Sequence, residues 1–427
     1  MKNISKENIY NLMKELYPIC NSITGNGVVR TFEIINKLIP LEILSVNSGD
    51  NYFNWTVPDE WNINEAFIEN NEGEKIVDFN NLNIHVVNYS EPIDVIMDLD
   101  ELKNKIYTIP KHPDYVPYLT SYYNKDWGFC LSQNQFDKLK PGKYRVFIDS
   151  ELKKGLLRYG EITIPGKSDN IVLLSTYICH PSMCNDNLSG VTILTEVVKN
   201  LIKKQNDLNY TYKCIFIPET IGSIIWLARN QLIFKKIIAG LNLTCLGNKE
   251  ELTYKKSRIG DSKIDRVAQN ILHENSRIID FYPTGSDERQ YCSPGINLPV
   301  GTLMRGIPAT FPEYHTSADN LEFVDPDYLY DSYENCLKII MALDQDKKYI
   351  NNFPMGEPQL GKFNLYRKIG SQKVAASAQN AFKWLLNYSD GKHSLLDVSY
   401  KSGIDFFDIV KFAEILADAS LLSEFDE

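Results

Sequence analysis

An imidazole and a carboxylate share one short loop of this chain. His180 and Asp186 lie within HPSMCNDNLSG, residues 180–190. Those two side chains are suited to holding a divalent metal. A second carboxylate, Glu219, ends the apolar run IFIPE at 215–219, where it could act as general base to a bound water. A third piece, PEYHTSADNLEF at 312–323, carries His315. Each piece alone also fits ordinary loop structure. A loop histidine can bond backbone, Asn185–Asp186–Asn187 suits an Asx turn, and Glu219 suits a helix N-terminus. The conjunction is more specific. The chain has six histidines, His85, His112, His180, His273, His315 and His393, and two of them fall in this set.

The flanking elements bring the set together. Residues 171–178 (IVLLSTYI) read as a buried strand, and 191–198 (VTILTEVV) as a helix. The His180 loop thus follows the carboxyl end of a strand, where open α/β sheets keep their sites. Residues 215–222 repeat the strand-then-helix pattern, and 300–304 reads as a strand ahead of the His315 loop. From 167 to 345 strands and helices alternate, as in an α/β sheet with crossovers. Residues 1–45 have helical spacing in Leu12, Leu16, Ile19 and Ile23, then Phe32, Ile35 and Leu38. From about 43 to 166, short alternating runs such as NIHVVNY (83–89) and KYRVFI (143–148) are broken by Pro, Asn, Asp and Gly. That is β structure with loops. The expected layout is a discontinuous α/β core (1–45 and 165–350), an inserted β-rich domain (46–164), a linker (347–360) and a helical module (361–427).

Composition narrows the function classes. At 427 residues, 43% hydrophobic and 23% charged, the chain is an ordinary globular protein of two or three domains. Its net charge of −10 argues against general nucleic-acid binding. Eight scattered cysteines with no Cys-x-x-Cys pair do not make a disulfide scaffold. No apolar run approaches a membrane span and no leader pattern opens the chain, so a cytoplasmic location without membrane contact is expected.

With these residues in view, the chain resembles the zinc exopeptidase superfamily that includes the co-catalytic zinc aminopeptidases. The matching elements are His180, Asp186–Gly190, Glu219–Thr220, Ser286–Asp287–Glu288, Gly306–Ala309 and Tyr314–Thr316 with Asp319. It is more similar still to a bacterial aminopeptidase-like family of ill-defined activity. There the likeness extends to Ser22–Gly27, Pro117–Tyr123, Trp127–Cys130 and a C-terminal winged helix. The resemblance implies a zinc-exopeptidase-like mixed sheet flanked by helices. It implies His180, Asp186 and His315 as metal ligands and Glu219 as base, with Asp319 as candidate partner of the His315 ring and Asp287 also behind the site. An N-cap role for Asp319 fits equally well.

Two positions depart from the two-zinc pattern. Thr220 stands where a second Glu is expected, and Thr244 where an Asp is expected. Ser182 replaces the Asp that usually orients the first His. Two histidines and one carboxylate around one ion are a complete catalytic set with an open fourth position, so one zinc is expected, not two. Substrate contacts are sought among Glu288 and Glu313, which suit a free amine, and Arg289 and Arg305, which suit a carboxylate. All four are equally suited to ordinary surface or structural ion pairs. Tyr123 and its aromatic neighbours up to Trp127 suit a site wall or a core. Cys179 and Cys184 read as packing residues, with strand alternation turning Cys179 away from His180.

The expected activity is hydrolysis of a small peptide or amide, of exopeptidase type. The alternatives are an amidohydrolase or deacylase acting on a modified metabolite or sugar, and a binding protein that keeps zinc without turnover. Residues 361–427 carry eight basic against nine acidic residues, and the third helix of the module has Asp405, Asp408, Glu414 and Asp418 against Lys411. That balance opposes phosphate binding and points to protein contacts. Homo-oligomerisation is left open.

Overall fold

The apolar run at 171–178 forms most of the strand Ser168–Tyr177, whose last seven residues are all buried. A strand covered on both faces needs apolar residues throughout rather than in alternation. In the computed structural model, which describes residues 6–272, 276–363, 365 and 372–425, this strand lies inside an eight-stranded mixed sheet. The order is Glu42–Asn47, Leu156–Ile164, Tyr210–Ile217, Ser168–Tyr177, Ile237–Leu243, Val300–Arg305, Leu252–Lys255 and Ser276–Ile279. The four middle strands run parallel. Antiparallel pairings flank them, through Leu156–Ile164 on one side and Leu252–Lys255 on the other.

Parallel neighbours require crossovers, and helices Ser189–Lys203 and Ile221–Arg229 supply two of them. Gly190 opens the first. A Cβ there would lie 2.5 Å from Thr176 Oγ1, so only glycine lets this helix start against the sheet. The core on one side of the sheet gathers Tyr159, Leu173, Ile215, Trp226 and Tyr291 among others.

A separate four-stranded antiparallel sheet is built from Lys75–Asp78, Glu60–Asn70, Lys143–Lys153 and Ile93–Asp98. It has its own core around Ile68, Phe129, Val146 and Ile148. Leu156–Ile164, the end of the β-rich 46–164 segment, joins the main sheet instead. So does Glu42–Asn47, which follows the two N-terminal helices Lys6–Leu16 and Asn26–Asn36. The alternating run at 83–89 is not a strand. It opens with a single 3₁₀ turn, Asn83–His85, whose His85 Nδ1 bonds the Cys130 carbonyl at 2.7 Å.

The chain divides into two compact units, Met1–Ser262 with Asn275–Glu334, and Lys263–Glu274 with Asn335–Glu427. The second unit contains helices Gln372–Tyr388, Leu395–Ser402 and Phe406–Asp418. Their boundaries follow local rules. Ser394 and Asp397 form a capping box, Gly403 ends that helix in the left-handed region, and Asp405 caps the next helix. The stretch 347–360, read as a linker, instead begins with strand Lys348–Asn351. It pairs with both Asp390–Ser394 and Leu422–Phe425. Short polar strands of this kind have no strong periodicity to reveal them.

Candidate metal centre and pocket

The four middle strands end at Tyr177, Ile217, Leu243 and Arg305. The candidate residues stand just beyond, on the loops that follow. Each loop also holds a non-glycine residue in the left-handed region: Ser182, Thr220, Cys245 and, after Arg305, both Ala309 and His315. Such backbone is disfavoured by roughly 1–3 kcal/mol per residue and persists only where the surroundings over-determine it.

His180, Asp186 and His315 converge, each offering a ligand atom within 4.8 Å of the others. His315 Nε2 lies 2.9 Å from Asp186 Oδ2, and His180 Nε2 lies 3.9 Å from it. Asp186 is fully buried. Its Oδ1 accepts a hydrogen bond from the Tyr177 hydroxyl, and that hydroxyl also lies 2.8 Å from Thr244 Oγ1. Asp186 Oδ2 and His315 Nε2 are buried with no hydrogen-bond partner among the described residues. Burial alone would push the Asp186 carboxyl upward. The nearness of the His180 and His315 rings and the hydrogen bond from Tyr177 outweigh it and hold the group below the usual carboxylate range. Burial lowers His180 to about 4, which leaves a neutral imidazole at neutral pH. A neutral imidazole, a second imidazole and an ionised carboxylate, with orphaned atoms turned inward, fit one divalent ion.

Asp319 acts on this loop through the backbone. Its Oδ1 accepts from the Asn185 N–H at 2.6 Å and its Oδ2 from the Asp186 N–H at 2.8 Å. It is therefore not the orienting partner of the His315 ring suggested by the sequence: its oxygens bond the loop that carries Asp186, and among the described residues no bond joins it to His315. Burial raises it to about 8 against the lowering effect of those bonds. Ser182 bonds the Tyr17 carbonyl and Asn83.

Glu219 Oε2 lies 3.9 Å from His180 Nε2 and keeps 25% side-chain exposure. Burial, then the charges of Asp287 and Asp186, push its carboxyl well above the usual range, and Arg289 opposes them. Its backbone N–H donates to Cys179 Sγ at 3.2 Å. Cys179 Sγ also lies 3.5 Å from His180 Nδ1. The expected divergence of Cys179 and His180 fails because both residues follow the strand end at Tyr177, where alternation no longer applies.

Glu219, His180 and His315 line a pocket of about 420 Å³ together with Tyr118, Tyr123 and Arg289. Trp55 and Tyr122 are also in its wall. The rings of Tyr118 lie 5.3 Å from those of both His180 and His315, and Tyr314 stacks on His315 at 4.0 Å. The Tyr118 N–H donates to the His315 carbonyl at 2.8 Å. Tyr123 is 52% exposed and packs edge-on to Trp55. The 46–164 segment thus supplies much of the wall. Trp127, its companion in sequence, packs against the core of the second sheet instead.

The remaining candidates divide. Arg289 is in the pocket wall, and its Nη2 donates to Thr220 Oγ1 at 2.9 Å. Asp287 accepts from the Thr220 N–H at 2.7 Å and the Ser223 hydroxyl at 2.8 Å. Glu288 is corrected to a structural role. It is fully buried, ion-paired to the equally buried Lys255, and accepts from Asn242. Arg305 is likewise structural, bonded to Ser332, the Glu250 carbonyl and Asp331. The Glu313 carbonyl accepts from Thr316, and Glu313 is not among the pocket-lining residues. The other histidines take no part. His112 stacks on Tyr115, His393 faces Asp390, and His273 lies outside the described residues. Sequence reasoning missed Tyr177, Tyr118 and Tyr314. The signal available for Tyr177 was a hydroxyl on the final residue of the strand that feeds the His180 loop. Among the described residues none of the eight cysteines forms a disulfide, and no helix is long and apolar enough to cross a membrane.

Comparison with known proteins places this geometry. A Clostridium acetobutylicum protein, whose name joins polysaccharide biosynthesis to an aminopeptidase-like domain, is 51% identical over 417 residues, 97% of this chain and 95% of the relative. A crystal structure from Clostridium acetobutylicum, described as that of a peptidase, superposes with a TM-score of 0.93 at 49% identity, covering 98% of this chain and 96% of that one. A zinc aminopeptidase from Bacillus subtilis shares the fold, with a TM-score of 0.55, 14% identity, and coverage of 80% of this chain and 95% of the other. A winged helix-turn-helix family model matches residues 347–424. A second family model, described as a domain of unknown function (DUF4910), matches residues 10–346. The chain, with an aminopeptidase-like mixed sheet that carries the candidate site and a C-terminal winged helix, belongs to the DUF4910 family.

Proposed function

We propose that this protein is a zinc-dependent hydrolase of small peptide or amide substrates, of exopeptidase type, with one zinc held by His180, Asp186 and His315. The observation that carries this reading is the convergence of three ligand atoms within 4.8 Å beside a carboxylate, Glu219, that is left partly open to a pocket. A purely structural metal has no use for such a base. When bound, zinc would supply Lewis-acid polarisation of the scissile carbonyl and acidify water at its open position. Glu219 takes one proton from the attacking water and delivers it to the leaving nitrogen as the C–N bond breaks. Its raised pKa, caused by burial and the charges of Asp287 and Asp186, makes it a stronger proton acceptor than an ordinary carboxylate. Tyr177 and the Asp319-tethered loop hold Asp186 in place. Thr244 bonding to Tyr177 and Thr220 bonding to Arg289 favour one ion over two.

The name of the Clostridium relative favours a second reading, in which the amide is carried on a sugar. Metal analysis of the purified chain, with a panel of aminoacyl, C-terminal and N-acyl substrates tested with and without chelator, decides between them. One zinc per chain and chelator-sensitive turnover are expected. Two tightly held ions would defeat the single-zinc reading, and turnover that survives metal removal would defeat the hydrolase mechanism. For the C-terminal unit we propose protein contacts, and salt-sensitive binding of the protein to duplex DNA near physiological salt would overturn that.

A further inference from the structure

Arg289 and Glu219 are the two pocket-lining residues with side chains of permanent or carboxylate charge, beside the imidazoles of His180 and His315. Arg289 is half-buried. Among the described residues it forms no ion pair within 4.0 Å. Its one side-chain hydrogen bond goes to a neutral hydroxyl, Thr220 Oγ1, and its Nε is buried with no partner. The other conspicuous basic groups near these loops are already neutralised, Lys255 by Glu288 and Arg305 by Asp331. An arginine presents Nε and Nη as a planar fork matched to a carboxylate. A site that reads a free amine needs carboxylates to spare, whereas the pocket's one carboxylate is engaged as the base.

We infer that Arg289 is a specificity-determining residue, and that the substrate is an amide bearing a free carboxylate beside the scissile bond rather than a free amine. The inference rests on the hydrolase reading for the presence of a scissile bond, but the anion preference itself does not require turnover. Cationic substrate termini are turned away by the guanidinium and find no second carboxylate in the wall among the described residues. The aromatic rings of Tyr118, Tyr122 and Tyr123 offer faces for the remainder of the substrate.

The test uses three probes that differ in charge, and the full chain. They are benzoylglycine, its neutral primary amide, and glycyl-phenylalaninamide as the cationic counterpart. Calorimetric binding to the metal-free protein should rank benzoylglycine at least tenfold above the neutral amide, with no detectable binding of the cation. Arg289→Gln should abolish that preference, and Arg289→Lys should restore part of it. Zinc content should stay at the wild-type value in both. For any substrate that is turned over, Arg289→Gln should raise KM more than it lowers kcat. Equal binding of acid and neutral amide by the wild-type protein overturns the inference even if hydrolysis is observed. Retention of the preference in Arg289→Gln does the same. A tenfold acid preference without any turnover defeats the hydrolase reading and leaves this one standing. If Arg289→Gln does not fold, the wild-type ranking and Arg289→Lys decide.

Discussion

Two aspartates on either side of Glu219 are equally buried and oppositely poised. Asp186, at 0% exposure, is held below the ordinary carboxylate range, because the opposition of His180, His315 and Tyr177 exceeds its burial. Asp287, also at 0% exposure, is raised. Burial dominates there, and its two donors, the Thr220 N–H and the Ser223 hydroxyl, do not overcome it. Burial alone therefore does not decide what a carboxylate in this pocket does. Aromatic nitrogens facing Asp186 keep it charged and ready for a cation. Asp287 faces backbone and hydroxyl donors, and serves the geometry of the loop that carries Glu219 and Thr220. Glu219 lies between them, pushed up by both.

Substitutions can break this contrast. Glu219→Gln should cost the most, about 10²–10⁴-fold in kcat, with zinc content unchanged by atomic emission; wild-type turnover would remove Glu219 from the mechanism. Asp186→Asn comes next. Loss of an orienting partner alone weakens metal sites about 10–100-fold, so loss of this ligand should weaken zinc binding by more than about 100-fold in a competitive chelator titration. Asp287→Asn keeps Oδ1 as acceptor for both donors, and zinc affinity should stay within about threefold of wild type, well short of that orienting-partner range. A parallel collapse of zinc binding in both aspartate variants would end the distinction drawn between them.

Smaller effects sharpen it. Asp319 uses both oxygens for backbone N–H groups, so Asp319→Asn strands one buried donor and should lower stability by about 1–3 kcal/mol in denaturant unfolding. Its folded pKa of about 8 lies above the unfolded value near ~3.9. Its neutral form is thus the one the fold favours. In the metal-free protein its contribution should be complete below about pH 4 and lost as pH rises through about 8. The asparagine variant should lack that part of the pH dependence, and an unchanged profile would show that Asp319 is already ionised. The smallest effect is expected at Asp390, lowered to about 2 by backbone and His393 hydrogen bonds that outweigh burial. Its folded pKa is below the unfolded one, so its stabilisation is present above about pH 4 and fades as pH falls through about 2. Being well exposed, it should contribute less than about 1 kcal/mol, read as the difference from Asp390→Asn in acid titration.

The strands and loops that carry the site were legible because they obey strong local rules. IVLLSTYI has the length and apolar run of a doubly covered strand, and a His, an Asp and a Glu at strand ends of one sheet have few other reasons to recur. Helices of the C-terminal unit were legible from their period. The rest depends on contacts distant in sequence. Nothing local to Glu288 announces Lys255, and nothing local to Tyr118 announces His180. The strand at Lys348–Asn351 is defined by partners on two other segments. Asp319 reads as a ring-orienting group or a cap, and its actual role appears only when the loop holding Asp186 is brought beside it.

That last contact has a consequence for how the protein is made. The Asp186 backbone and the Asp319 carboxylate are 133 residues apart in sequence, and His315 arrives with Asp319. At ribosomal speeds of about 5–20 residues per second, His180 and Asp186 are synthesised on the order of ten seconds before the residues that complete them. Through that interval the nascent chain has two of the three converging residues and a loop whose tether does not yet exist. The converging set is therefore complete only late in synthesis, and a chain lacking the 312–323 loop would never assemble it.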